Sequence, residues 1–230
     1  MLWHKYWLET PWMFLLAAAM PVIFLPFLAP EVGGSLAKLD SVMQQTGSFW
    51  AFAGALVAGA GIRTRAGMRS KGVHGSMYYL LSMPVSRLKL FASRVSLGYA
   101  QLAGVVVVAC AANWMFLPTL RANVEVLELF RYGFVVLTCS TVFYFLAVLA
   151  ASLIDDEMGK TWGSFIAGGV ILWTARRAGL PPSFDPWTAL MASSPLHSTI
   201  PWTAIGVSIA LSALLILASA RVVQVREYWA

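Results

Sequence analysis

Histidine, cysteine and carboxylate side chains are the usual carriers of catalysis and metal binding, and here they are few and scattered. His4, His74 and His197 lie in separate segments, and none has a carboxylate or a second histidine at ligand spacing, so no metal site is expected. Cys110 and Cys139 each sit inside an apolar run. They form no C-x-x-C pair and read as small, free, buried thiols. The phosphate-cradling G-x-x-x-x-G-K-[ST] loop, H-E-x-x-H and G-x-S-x-G are all absent. No catalytic, cofactor-binding or metal-binding residue is therefore assigned, and the chain is not expected to be an enzyme. Asn113, with Tyr99 and Gln101, is polar within or near an apolar run, which predicts helix-to-helix hydrogen bonds rather than a substrate site. The remaining ionisable residues fall at the ends of apolar runs or between them. A proton relay or ion path would need them in the middle, so an ion-driven transporter is disfavoured.

The elements that would position these side chains are set by composition. The chain has 230 residues, of which 59% are hydrophobic and only 11% charged, with a mean hydropathy of +0.73. A soluble domain carries roughly 25% charged residues, and one core cannot hide this much apolar surface from water. The expected fold class is an all-α integral membrane protein with six transmembrane helices. A span needs about 20 mostly apolar residues, and candidates lie at 12–30, 42–62, 95–117, 132–153, 161–177 and 200–220. The stretch from Trp12 to Ala29 is too long and too aromatic for a signal peptide, so it reads as a retained first span. The net charge of +6 is concentrated between apolar runs, which points to a membrane surface and not to nucleic acid.

Lys and Arg in short loops set the orientation. With the loop after the second span inside, the inner set is Lys5, Arg63, Arg65, Arg69, Lys71, Arg87, Lys89, Arg94, Lys160, Arg221 and Arg226. The outer set is Lys38, Arg121, Arg131, Arg176 and Arg177. Eleven against five places both termini in the cytoplasm, in a multi-pass protein of the inner (cytoplasmic) membrane. Residues 1–11 carry Leu2, Trp3, Tyr6 and Trp7 near helical spacing. They read as an amphipathic interfacial helix ahead of Pro11, or as an aromatic belt on a longer first span. The outer loop 178–199 is rich in Pro, Ser and Trp, and its patch from Trp187 to Met191 either folds back against the membrane as short helices or remains a plain loop. Small residues four apart, Gly54 with Ala58, Ala55 with Gly59 and Gly163 with Ala167, permit close packing within a bundle or in a dimer seam.

The cytoplasmic loop 63–94 holds the most specific pattern. His74 to Ser82 can form a helix with Met77, Leu80 and Leu81 on one side. Pro84 ends it, because the residue before proline avoids the α region. Ser86 can cap a second helix that carries Arg87, Lys89 and Arg94 and runs into the third span. A helix with an exposed apolar side beneath a bundle calls for a protein partner or the membrane surface.

The segment Gly75-Ser76-Met77-Tyr78-Tyr79-Leu80-Leu81-Ser82-Met83-Pro84-Val85-Ser86-Arg87 resembles the first cytoplasmic loop of type-2 ABC transporter permeases, the membrane subunits of an ABC exporter family. Ser76 stands for the usual threonine and Met83 for the usual leucine, and His74 occupies the place of a frequent acidic residue. The resemblance implies a single permease domain over 1–230 that pairs with a second permease copy or homologue in the lipid bilayer. It also implies a cytoplasmic ABC ATPase subunit that binds ATP-Mg; no cofactor is implied for this chain. His74, Gly75, Ser76, Met77, Tyr78, Tyr79, Leu80, Leu81, Pro84, Ser86 and Arg87 would form the coupling helix set against that ATPase. Asp155, Asp156 and Glu157 would either add a second coupling contact or simply suit the N-terminus of the fifth span. The alternative function is a non-transporting membrane scaffold or sensor that uses the same fold.

Overall fold

Among the described residues, long runs without internal proline become the long helices, and Pro118, Pro186 and Pro201 stand at helix edges. Inside a bilayer every backbone polar group must be satisfied within the chain, and a helix does this segment by segment. The computed structural model describes residues 35–60, 86–154, 181–196 and 199–225, with isolated helical positions at 15, 18, 19, 22, 23 and 166. The described elements are α1 (Leu36–Ala60), α2 (Arg87–Phe116), α3 (Pro118–Asn123), α4 (Val126–Leu153), a 3₁₀ turn (Pro182–Phe184), α5 (Pro186–Ala192) and α6 (Trp202–Val225). Among the described residues there is no strand.

Three described helices are long and apolar enough to cross a membrane: α2 from Leu88, α4 and α6. The described residues are thus all-helical, and these helices make the chain a membrane protein. The expected count of six spans is finer than this. The expected interfacial helix 1–11, most of the first span, residues 63–85 of the coupling loop and the fifth span lie outside the described residues. The second expected span also differs from expectation. It belongs to α1, which starts at Leu36 rather than near residue 42 and is not among the three. Its first half carries Lys38, Asp40, Gln44 and Gln45, and Gln44 Nε2 donates to Asp40 Oδ2 at 3.0 Å. Packing against α2 and α4 secures this helix; its own apolarity would not.

The helices also start earlier than hydropathy alone would place them. α2 begins at Arg87, not 95, because Ser86 caps it with an extended backbone and its side chain accepts from Lys89 N. α4 begins at Val126, not 132, and Glu128 Oε2 accepts from the backbone N–H of Glu125 at 3.4 Å. Charged residues end an apolar window but are tolerated in the end turns of a helix, whose side chains reach water.

Cross-helix contacts define the directions. Tyr132 Oη donates to Met43 O at 3.1 Å and Phe52 meets Phe143 edge-on at 5.1 Å, so α1 and α4 run parallel. Tyr144 Oη donates to Val95 O at 2.6 Å, and a Cβ on Gly133 would lie 3.3 Å from Cys110 Sγ, so α2 runs antiparallel to α4. A Cβ on Gly98 would come within 2.6 Å of Tyr144 Oη and 3.1 Å of Ala58 O. Only glycine allows that approach of α1, α2 and α4. Thr199 to Pro201, leading into α6, share a cavity with the first turns of α4, and Ser208 lies against Cys139, so α6 runs parallel to α4.

These directions fix the ends of the connections. Leu153 lies at the end of the bundle where α2 starts. The 3₁₀ turn lies at the other end, where Thr203 Oγ1 donates to Ser183 O at 2.9 Å. Residues 154 and 181 therefore sit at opposite ends of a helix about 42 Å long.

Candidate functional site

Of the residues expected to couple to a partner, His74 to Pro84 and the acidic Asp155, Asp156 and Glu157 lie outside the described residues. Ser86 and Arg87 are described and start α2. Because Gly98 is the residue that meets Ala58, the first eleven residues of α2 precede that level, a rise of about 16 Å. Leu90 and Phe91 within this stretch are buried, as is Arg94, while Lys89 is exposed. The segment that follows the coupling motif is thus a capped helix continuous with the bundle interior.

A cavity of about 390 Å³ opens at the other end, where α1, α4 and α6 all begin. α4 supplies Glu128, Arg131, Tyr132 and Val135, a spacing that places all four on one helical face. α1 supplies Gln44, and α5 with the chain after it supplies Ala189, Ala192, Ser193, Ser194, Thr199, Ile200 and Pro201.

Local chemistry holds the wall made by α5. Asp185 caps that helix, accepting from Trp187 N at 3.0 Å and from Thr188 Oγ1 at 2.7 Å, with Pro186 in its first turn. Trp187 packs edge-on against Phe52 at 5.0 Å and Phe143 at 5.8 Å, which anchors the loop between α1 and α4. The patch expected either to fold back against the membrane or to remain a plain loop forms α5, which packs against α1, α4 and α6 instead. Ser193 Oγ donates to Leu190 O at 2.7 Å, and Ser194 Oγ accepts from Leu196 N at 3.3 Å.

Within the bundle, Asn113 does not make the helix-to-helix hydrogen bond expected of its carbonyl oxygen. It is 1% exposed, and Oδ1 has no hydrogen-bond partner among the described residues. The cavity beside it, lined by Ala51, Val105, Ala109, Cys110, Tyr132 and Val136 among others, is about 10 Å³. That is the volume of roughly one water and far too small for cargo. Cys110 and Cys139 are free thiols.

Sequence reasoning missed the larger cavity. From the sequence Arg131 reads as an outer-loop cation, and Gln44 as a residue suited to an interfacial span end or to a bundle-facing position. The available signal was Glu128-x-x-Arg131 at the head of an apolar run, since opposite charges three apart share a helix face. That Gln44, Ser194 and Thr199 meet them depends on helix directions that no local pattern records. The chain matches no known protein family, and no curated protein is significantly similar to it.

Proposed function

We propose that the chain is the membrane permease subunit of an ATP-driven ABC exporter, paired with a second permease and driven by cytoplasmic ABC ATPase subunits. The carrying observation is the Gly75–Arg87 motif leading into α2, whose Ser86 cap joins the motif to a helix continuous with the bundle core. A push on the motif would reach Tyr144 through Val95 without an intervening break. The parallel order of α1, α4 and α6 with antiparallel α2 supports their assignment as spans two, four, six and three of a six-span chain with both ends inside. The placement of residues 154 and 181 at opposite ends of the bundle supports the reading of a fifth span between them. The basic loop supports a cytoplasmic Ser86 end, and with it a larger cavity on the outer side.

The deciding experiment is a pull-down of the tagged chain in mild detergent, with the Leu80→Asp, Leu81→Asp double variant beside it. An ABC ATPase should be retained by the wild type at near-equal stoichiometry and lost from the double variant, which should still insert. Unchanged retention by the variant, or no ATPase on a folded wild-type protein, overturns the reading. Retention without nucleotide-dependent flux in vesicles would instead make the chain a scaffold.

A further inference from the structure

We infer that the cavity at the head of α4 binds a zwitterionic aminoalkyl phosphate headgroup, with the phosphate on Arg131 and the primary ammonium on Glu128. The volume of about 390 Å³ falls within the range of small-ligand sites, which combine apolar walls with a few placed polar groups. Val135, Ala189 and Ile200 supply apolar wall. Glu128 and Arg131 stand one helical turn apart, where they could pair with each other, but no ion pair joins them. Glu128 spends Oε2 on the N–H of Glu125, and Oε1 remains to accept. Arg131 is exposed into the opening, and its planar guanidinium fork matches phosphate oxygens two at a time. Ser194 is buried and uses its oxygen as an acceptor for Leu196 N, so its O–H is left to donate.

Charge balance selects the ligand class. Among the described lining residues, one cation and one anion leave the site formally neutral. A purely anionic ligand would face Glu128 and a purely cationic one would face Arg131, whereas a zwitterion matches both. A primary ammonium donates hydrogen bonds to Glu128. A trimethylated one has no N–H to offer, and among the described lining residues there is no ring of aromatic faces to receive it. The site lies at the head of an apolar span, the level at which lipid headgroups sit. This inference does not depend on the permease reading, because binding requires neither the ATPase nor transport.

The test uses the full chain in detergent. Binding of dihexanoyl lipids with phosphoethanolamine, phosphoglycerol or phosphocholine headgroups is measured by native mass spectrometry, and binding of free O-phosphoethanolamine by calorimetry. The phosphoethanolamine lipid should bind about tenfold more tightly than the phosphocholine lipid, the factor expected for one charged hydrogen bond. Arg131→Gln should weaken phosphoethanolamine and phosphoglycerol lipids alike. Glu128→Gln should weaken only the former and erase its advantage. Arg131→Lys, which keeps the charge and loses the fork, should fall between wild type and Arg131→Gln. Arg121→Gln, an exposed change on α3 outside the cavity, should have no effect. Tight binding of the short-chain lipid alone identifies a membrane headgroup, and equal binding of the free phosphoester identifies a soluble ligand; either supports the site. Equal binding of all three lipids, unchanged binding by both cavity variants, or an equal loss in Arg121→Gln overturns it. Helical circular dichroism and melting of each variant separate lost binding from lost folding.

Discussion

α4 and α6 are both apolar enough to span a membrane, yet 67% of the most apolar stretch of α4 is buried in the protein and only 28% of that of α6. α4 turns Tyr132, Cys139, Phe143 and Tyr144 inward between α1, α2 and α6. α6 buries a narrow seam of Ala204, Ser208, Ser212 and Ser219, joined by Ile205 and Val223 near its two ends, and leaves Ile209, Leu214 and Leu217 exposed. That is the reverse of a water-soluble helix, which hides its large apolar side chains. In lipid, Leu gains nothing by leaving the surface, and helices associate through close approach of small residues instead. Hydropathy therefore reports that both helices belong in a membrane and says nothing about which is central.

This contrast can be broken at a single residue of the central seam. Gly98→Ala should cost the most, about 3 kcal/mol. The new methyl meets a backbone carbonyl, which cannot yield, and a phenol oxygen tied to Val95. Unfolding in mixed detergent–SDS micelles measures the loss. Adding Tyr144→Phe, which removes the crowding oxygen, should recover part of it, and simple additivity of the two changes would refute the contact.

A second, smaller effect tests the seam of α6. Ser208→Leu should destabilise by about 2 kcal/mol by forcing α6 away from Cys139. Leu214→Ala on the 64% exposed face should stay within about 0.5 kcal/mol in the same assay. Equal effects would mean that α6 has no preferred face. The smallest effect is expected of Ser212→Ala. Ser212 Oγ is buried without a hydrogen-bond partner among the described residues, so removing it should leave the melting temperature unchanged or slightly raised. A loss above about 1 kcal/mol would show that the hydroxyl is engaged.

Local signals in the sequence were sufficient wherever the physics is local. Ser86 was legible as a cap because a serine ahead of a helical run satisfies an end N–H whatever surrounds it. The fold-back of α5 was half legible: Asp185-Pro186 starts a helix by itself, but only Phe52 and Phe143 give Trp187 somewhere to go. α1 was legible as a helix, but its polar first turns are not apolar enough to announce a span, and it is Leu39 and Met43 that neighbours bury there. Asn113 shows the limit most plainly. A buried amide should have been bonded, and no pattern near residue 113 reveals that Ala51, Val105 and Val136 surround it.

The sequence by itself determined that this is a helical membrane protein, that its basic residues cluster between two apolar runs, and that Ser86 caps a long helix. These follow from transfer free energy, charge asymmetry and hydrogen-bond satisfaction, each of which acts over a span or a few turns. Only the tertiary structure decided that α4 is central, that Gly98 is the point of closest approach, and that Gln44, Glu128, Arg131 and Ser194 share one cavity. Lipid removes the hydrophobic penalty that would otherwise reveal an inward face, so the choice of partners passes to shape and close packing, and these exist only once the helices have been brought together.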